Sequence, residues 1–247
     1  MEHIYIALQK YHDEHGTFPP AYTVDEEGNP LHSWRTLILP YFDSEAFGPR
    51  WKELCDQIRF EEPWDSEHNI QINKLFALLA ADKQSDQDRE SPRHFSVYDC
   101  PGSDFTSSTD TVYKMVVGNN AIGNLSGTSK SQIKRPLDKT ILVIEAEPAV
   151  PWMSPSDFVA KDFKNALFAN EAREIRRAEL GNYTEEYCEN CGGYHSRLSS
   201  ESELDGRQII GTHGIELNIL FADGTVKKYM HWKLPMSEIE AMSRIWE

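Results

Sequence analysis

The 247-residue chain contains no apolar run of eighteen or more residues, so nothing in it reads as a membrane-spanning helix. It has no Gly-x-Ser-x-Gly elbow, no phosphate-binding glycine loop and no His-Glu-x-x-His helix, so the usual signatures of serine hydrolases, nucleotide-binding proteins and zinc proteases are missing. Positive charge is scarce. Twenty-five Lys and Arg stand against 40 Asp and Glu, a formal net charge of −15. Such a surface repels phosphate backbones and argues against nucleic-acid partners. It would suit a calcium-rich or saline exterior, although solubility alone accounts for it. Glu2 and His3 stand where a charged-then-apolar leader would begin, so no signal peptide is visible. Only four cysteines are present, and they do not fix the redox compartment. Cys55 and Cys100 are isolated and read as buried small hydrophobes.

What is there suffices for a core. Hydrophobic residues make up 39% and aromatics 11%, which argues against overall disorder. The expectation is a single α+β domain over 1–247, with an N-terminal helix packed on an antiparallel sheet, a C-terminal hairpin and extra helices. Residues 2–16 read as the middle and end of a helix, with Ile4, Leu8 and Tyr11 in one stripe and Gly16 as C-cap. No capping residue precedes it, as if the helix frays or something upstream has been removed. Asp25 to Pro30 is turn chemistry between two short runs and predicts a hairpin. Ser33 is placed to cap a short helix that Pro40 limits. Helices are expected over Trp51–Ile58 and Asn69–Ala81, the second with Ile72, Leu75, Phe76 and Leu79 on one face. Thr140–Glu145 is a continuous apolar run that belongs in a sheet centre. Residues 161–206 are polar, with too few apolar residues for a core, and read as an insertion. Ser237 with Glu240 spells a capping box for a final helix carrying Ile239, Met242 and Ile245.

The clearest pattern is 212–229. Ile215, Leu217, Ile219 and Phe221 alternate with Glu216, Asn218, Leu220 and Ala222, the period of a strand with one buried face. Asp223-Gly224 predicts a two-residue type I′ turn that sets Leu217 opposite Met230 and Phe221 opposite Val226. His213 and Asp223 then stand at opposite ends of a strand, roughly 33 Å apart, and cannot share a site. His213 reads as a strand-entry or packing residue and Asp223 as a turn residue.

Three other groups carry candidate chemistry. His12 and His15 are three residues apart on the first helix, a spacing that can bind metal, but it also suits a helix C-terminus. Between 61 and 69, Glu61, Glu62, Trp64, Asp65 and His68 crowd together. With Trp152 they could form a calcium or glycan pocket, and capping of the next helix is the plainer reading. Cys188, Cys191 and His195 are either three ligands of a zinc site with a fourth unnamed, or a loop holding a free or locally disulfide-bonded pair. No nucleophile assembles with a base, so no catalytic residue is assigned. No cofactor is expected beyond the calcium or zinc options.

Several segments together resemble one family. His213, nine residues, then Asp223-Gly224 matches the spacing of the prepilin-type processing-associated H-X9-DG domain. YHDEHGTFPPAY (11–22) and LHSWRTLILPY (31–41) resemble the opening of a large bacterial family of uncharacterised proteins, expanded in planctomycetes and assigned a domain of unknown function. PWDSEHN (63–69), YDCPGSD (98–104) and ILVIEAEPAVPWMSPSDF (141–158) are similar to it in the same order. The resemblance implies a pseudopilin-like protein of the cell envelope, non-enzymatic, with a structural or adhesive role. Its partners would be copies of itself or other pilin-like subunits. Membrane contact would come only through a leader helix absent from this sequence, and a naturally leaderless form would be cytoplasmic. The family supplies no catalytic residues.

Overall fold

The structure, a computed structural model, describes residues 1–42, 49–82, 98, 109–168, 185–188, 193–196, 209–210, 216–230 and 234–246. Helix α1 spans Glu2–His15 and ends on Gly16, whose φ of 78° lets its N–H reach the His12 carbonyl. Ile4, Ala7 and Leu8 form its buried stripe. Lys130 clamps its flank: the ammonium donates to Tyr5 Oη (3.3 Å) and Gln9 Oε1, and lies over the Tyr5 and Phe18 rings.

Strands β1 (Tyr22–Val24) and β2 (Pro30–Ser33) form the expected hairpin, closed by Asp25, which accepts from the Asn29 amide and side chain. Helix α2 (Trp34–Leu37) follows directly. Ser33 occupies its N-cap position, yet the hydroxyl donates to the Trp152 carbonyl instead of accepting from the helix. Helices α3 (Pro49–Cys55) and α4 (Glu67–Asp82) pack on each other. Ile72 and Phe76 of α4 are buried, whereas Leu75 is exposed.

The main sheet is α+β architecture's second layer. Its central strand β4 (Ile141–Pro151) lies between β3 (Asp110–Val117) and β10 (Glu216–Phe221), antiparallel to both, with β11 (Val226–Met230) at the edge beyond β10. Two short parallel pairs extend this antiparallel centre. Strand β5 (Phe158–Val159) pairs with β3, and β6 (Leu167–Phe168) pairs with β9 (Ile209–Ile210), which itself pairs with β4. Every residue from Thr140 to Glu145 is buried, as the apolar run required. Leu142 has no partner between the Leu220–Val143 and Phe221–Ile141 pairs, and this bulge turns both Leu142 and Val143 toward α1.

Both faces of the sheet are covered. Leu220, Ala222, Val143 and Met115 share a cluster with Ile4, Ala7 and Leu8 of α1. Leu217, Ile219, Phe221 and Ile144 belong to a second cluster with Phe158, Phe163 and α5 (Met236–Met242). The expectation of one buried face on 215–222 is therefore corrected. Leu220 and Ala222, assigned to an outer row, are as buried as their neighbours because α1 lies over them. Helix α5 carries Ile239 and Met242 inward, but it starts after Pro235 with no side-chain cap bond, so Ser237 lies inside the first turn and the capping box does not form.

The hairpin register also differs by one residue. Leu217 faces Tyr229 and Leu220 faces Val226. Phe221 closes with Thr225 (2.9 Å) and Gly224 donates back to Phe221 (3.0 Å), so the loop has three residues, Ala222-Asp223-Gly224, in place of two. Asp223 Oδ1 accepts from the Thr225 amide (2.9 Å) and hydroxyl (2.7 Å), which stabilises the longer loop. The slip turns Tyr229 toward the second cluster and leaves Val226 exposed. Gly224 is required twice, by its φ of 96° and because a Cβ there would overlap the Tyr5 ring. Gly224→Ala is expected to cost about 1–3 kcal/mol in urea unfolding. Part of that loss should be recovered in a Tyr5→Ala background, and equal losses in both backgrounds would place the whole cost in the backbone.

Candidate functional site

The densest polar arrangement lies inside the protein. Arg35 of α2 is fully buried, and all five of its N–H donors are used. Nε donates to the Trp152 carbonyl (2.8 Å), Nη1 to the Tyr113 carbonyl (3.0 Å) and Asp157 Oδ1 (2.8 Å), and Nη2 to the carbonyls of Ser154 and Ser156 (2.9 Å each). Asp157 Oδ1 also accepts from the Trp34 indole (3.0 Å) and the Met115 amide (2.9 Å). Burial pushes the Asp157 carboxyl up, and the Arg35 charge beside it pulls the other way. Burial also lowers the Lys114 ammonium to about 8, with Asp157 opposing. Two titratable groups pushed in opposite directions would suggest a reaction centre if solvent reached them. It does not: the Arg35 and Asp157 side chains are 0% and 2% exposed, and Lys114 is 2% exposed.

The sequence-predicted residues around 61–69 are distributed differently. Glu62 is held by Arg59 (2.8 Å) and Ser66 (2.8 Å), which keep its carboxyl below the usual range. The His68 ring nitrogen meets the Gln57 carbonyl (2.8 Å). Ser66 Oγ accepts from the Asn69 amide (3.2 Å) and so starts α4. The buried Asn69 accepts from the Arg59 amide and donates to the Arg59 and Pro63 carbonyls. Glu61 and Asp65 point to solvent and Trp64 is half-buried on the core. Trp152 is 3% exposed, stacked on Tyr98 and edge-on to Phe76, so it presents no ring face outward. Asp223 and Gly224 form the hairpin turn, whereas His213 and Cys191 lie outside the described residues. Cys188 and His195 sit on a separate antiparallel pair of strands, β7 (Glu185–Cys188) and β8 (Gly193–Ser196). Among the residues whose side chains are described, no three His, Cys, Asp or Glu gather on a metal, and His12 and His15 gain no third ligand.

An open concavity lies elsewhere, at the first turn of α1. A cleft of about 300 Å³ is bounded by Met1, Glu2 and His3 on one side and by Tyr113, Glu145, Asn218 and Val226 of the sheet on the other. Glu145 is buried and accepts from the Asn218 amide (3.2 Å) and side chain (3.2 and 3.1 Å). Its carboxylate takes the place of a backbone acceptor where β4 and β10 leave their ladder after Ile144–Ile219. The cleft thus holds an acid with a structural duty, and its described lining includes no Ser, Thr, Cys or Lys.

Two experiments follow from these buried groups. Arg35→Leu or Asp157→Asn is expected to cost about 3–5 kcal/mol in urea unfolding, because each leaves the other charge buried and unpaired. A loss under about 1 kcal/mol would show that the pair contributes no more than a surface ion pair. The second concerns pH. His32 Nε2 faces the Arg59 (3.1 Å) and Glu62 (2.9 Å) carbonyls and must be the N–H donor, while Nδ1 is buried without a partner. His12 Nε2 accepts from the Lys130 amide (3.2 Å). Burial lowers both imidazoles below the ordinary 6.5, aided at His12 by the Lys130 charge. The unfolded chain therefore protonates first. The stability contributed by the neutral rings is complete above pH 6.5 and is lost as pH falls through their folded values. Urea midpoints should fall as pH drops below 6.5, with a shallower slope in the His12→Gln/His32→Gln variant. An unchanged slope in that variant would assign the effect to carboxylates.

Residues 1–229 match the family model SBP_bac_10, described as a protein of unknown function (DUF1559). No curated protein and no solved structure matches the chain. With the match running over all but the last eighteen residues (247 − 229), the chain belongs to the DUF1559 family.

Proposed function

We propose that this chain is a non-enzymatic structural or adhesive subunit of the cell envelope, assembling pseudopilin-fashion with copies of itself or with other pilin-like subunits. The observation that carries the reading is the placement of α1. Its buried stripe, Ile4, Ala7 and Leu8, shares one cluster with Val143, Leu220 and Ala222, and Tyr5 packs against Gly224 at the hairpin tip. An N-terminal helix laid on the sheet that carries the 216–230 hairpin is the arrangement expected of a pilin-like subunit. The spacing of His213 and Asp223-Gly224 supports the same reading. The outer side of α1 is left to a neighbour: Ile6 is 50% exposed, amid Glu2, His3, Lys10 and Asp13. In this reading any membrane attachment runs through a helix continuous with α1.

A photo-crosslinking phenylalanine in place of Ile6, in the natural gene product within its own cells, tests this. Crosslinked adducts with a second copy or a pilin-like subunit are expected in the envelope fraction, with none from the same residue at Asp65. Recovery of only uncrosslinked monomer in the cytosolic fraction would overturn the proposal.

A further inference from the structure

Three rings meet at the surface where α1 ends. Tyr11 and His15, one helical turn apart, stack with centroids 4.0 Å apart and planes within 10°. Tyr41, in the short turn after α2, stands edge-on to both, 5.5 Å from Tyr11 and 6.2 Å from His15. Being nearer to Tyr11, it lies on the Tyr11 side of the imidazole plane, so neither tyrosine covers the outer face of His15. His15 is exposed, whereas Tyr11 and Tyr41 are half-buried against the main core cluster, which holds the ledge in place. Lys10 Nζ ties it further by donating to the Tyr41 carbonyl (3.2 Å).

The polar groups beside these rings are sorted by their bonds. His15 Nδ1 meets the Tyr11 carbonyl (3.1 Å), so Nδ1 carries the proton and Nε2 is left as an acceptor. Tyr41 Oη donates to Glu14 Oε2 (3.0 Å). Burial, reinforced by Glu14, pushes this phenol up to about 12, so it stays a neutral donor. Among the described residues nothing bonds Glu14 Oε1, Tyr11 Oη or His15 Nε2.

We propose that this ledge binds a neutral saccharide, with the C–H face of a pyranose on the outer face of His15 and its hydroxyls on the Glu14 carboxylate. A pyranose has an apolar face and a hydroxyl-bearing rim, and the ledge has an aromatic face with a carboxylate at its edge. The carboxylate oxygens are acceptors only, which suits hydroxyl donors. Glu14 and the net charge of −15 repel uronates and phosphorylated sugars, which leaves uncharged ones. Rings already fixed by the core lose little freedom on binding. The inference goes beyond the assembly proposed above and does not need it, since one chain carries the whole site.

The test is electrophoresis of the purified full chain through native gels containing soluble starch, dextran, hydroxyethylcellulose or galactomannan, with polygalacturonate as acidic control. Retardation by at least one neutral polymer is expected, unchanged at raised ionic strength, with none in polygalacturonate. Glu14→Gln and His15→Ala should each weaken binding about tenfold, through a lost charge-assisted bond and a lost stacking face respectively. Both residues are exposed, so both variants should melt with the wild type. Asp65→Asn, outside the ledge, should bind as the wild type does. Free migration in all the neutral gels would overturn the proposal. So would retardation that survives His15→Ala, vanishes in salt or appears with polygalacturonate alone.

Discussion

The buried guanidinium of Arg35 is the constraint on which the rest of this fold depends. Five donors in one rigid plane meet five acceptors drawn from strand β3, from the 152–156 turn after β4, and from Asp157 just before β5. No ladder joins α2 to any of these. A leucine in the same space would bury apolar area but would take the guanidinium donors from four carbonyls and the Asp157 carboxylate, of which only Trp152 O and Asp157 Oδ1 keep the other donors described above, and that loss is larger than the gain. A lysine would bring three donors from a single point, which cannot span carbonyls lying around a plane. Arginine at this position fixes where the N-terminal third of the chain meets the sheet.

The surrounding segments fall into place around that node. Tyr98 donates its hydroxyl to the Arg35 carbonyl and receives Thr111 on its own. His32 reaches the carbonyls of Arg59 and Glu62, and the Trp64 amide reaches Leu31. Ser33 binds the Trp152 carbonyl. Thus 31–36 is contacted by 59–64, by Tyr98 and by 152–157, and these segments together form one packed interior. With α2 fixed, α1 has one face of the sheet to lie on, and the bulge at Leu142 provides the apolar surface it covers.

Much of this was legible in the residues, and the misses have physical causes. The hairpins at 22–33 and 216–230, the central position of β4 and the buried stripe of α1 all follow from periodicity and turn chemistry. The register of the second hairpin does not follow. Asp-Gly serves a two-residue turn and a three-residue loop alike, and Thr225, which binds Asp223, decides for the longer one. Ser33 stands at the N-cap position, but its hydroxyl is drawn to the Trp152 carbonyl, and Ser237 lies inside a helix that starts already after Pro235. Trp152 beside the acids of 61–69 looked like a ligand platform, whereas its ring fills the core. Arg35 was missed altogether. A signal existed: an arginine inside Trp34–Leu39, flanked by apolar residues on both sides, has no solvated face to occupy and must find buried acceptors.

That interior also bears on what kind of protein this is. Perturbed titration usually points to chemistry, and Lys114 beside Asp157 shows it strongly. Here the same forces have a structural origin. Charge is taken out of water to orient backbone carbonyls, and the enclosure that shifts the groups also bars a substrate from them. Among the described residues, the outer side of α1 and the cleft edged by Glu145 are of another kind, open to solvent and outside that enclosure. A fold that spends its buried charge on fixing α2 to the sheet holds α1 and the hairpin tip in one fixed relation, with Tyr5 packed against Gly224 and the α1 stripe seated on Val143 and Leu220.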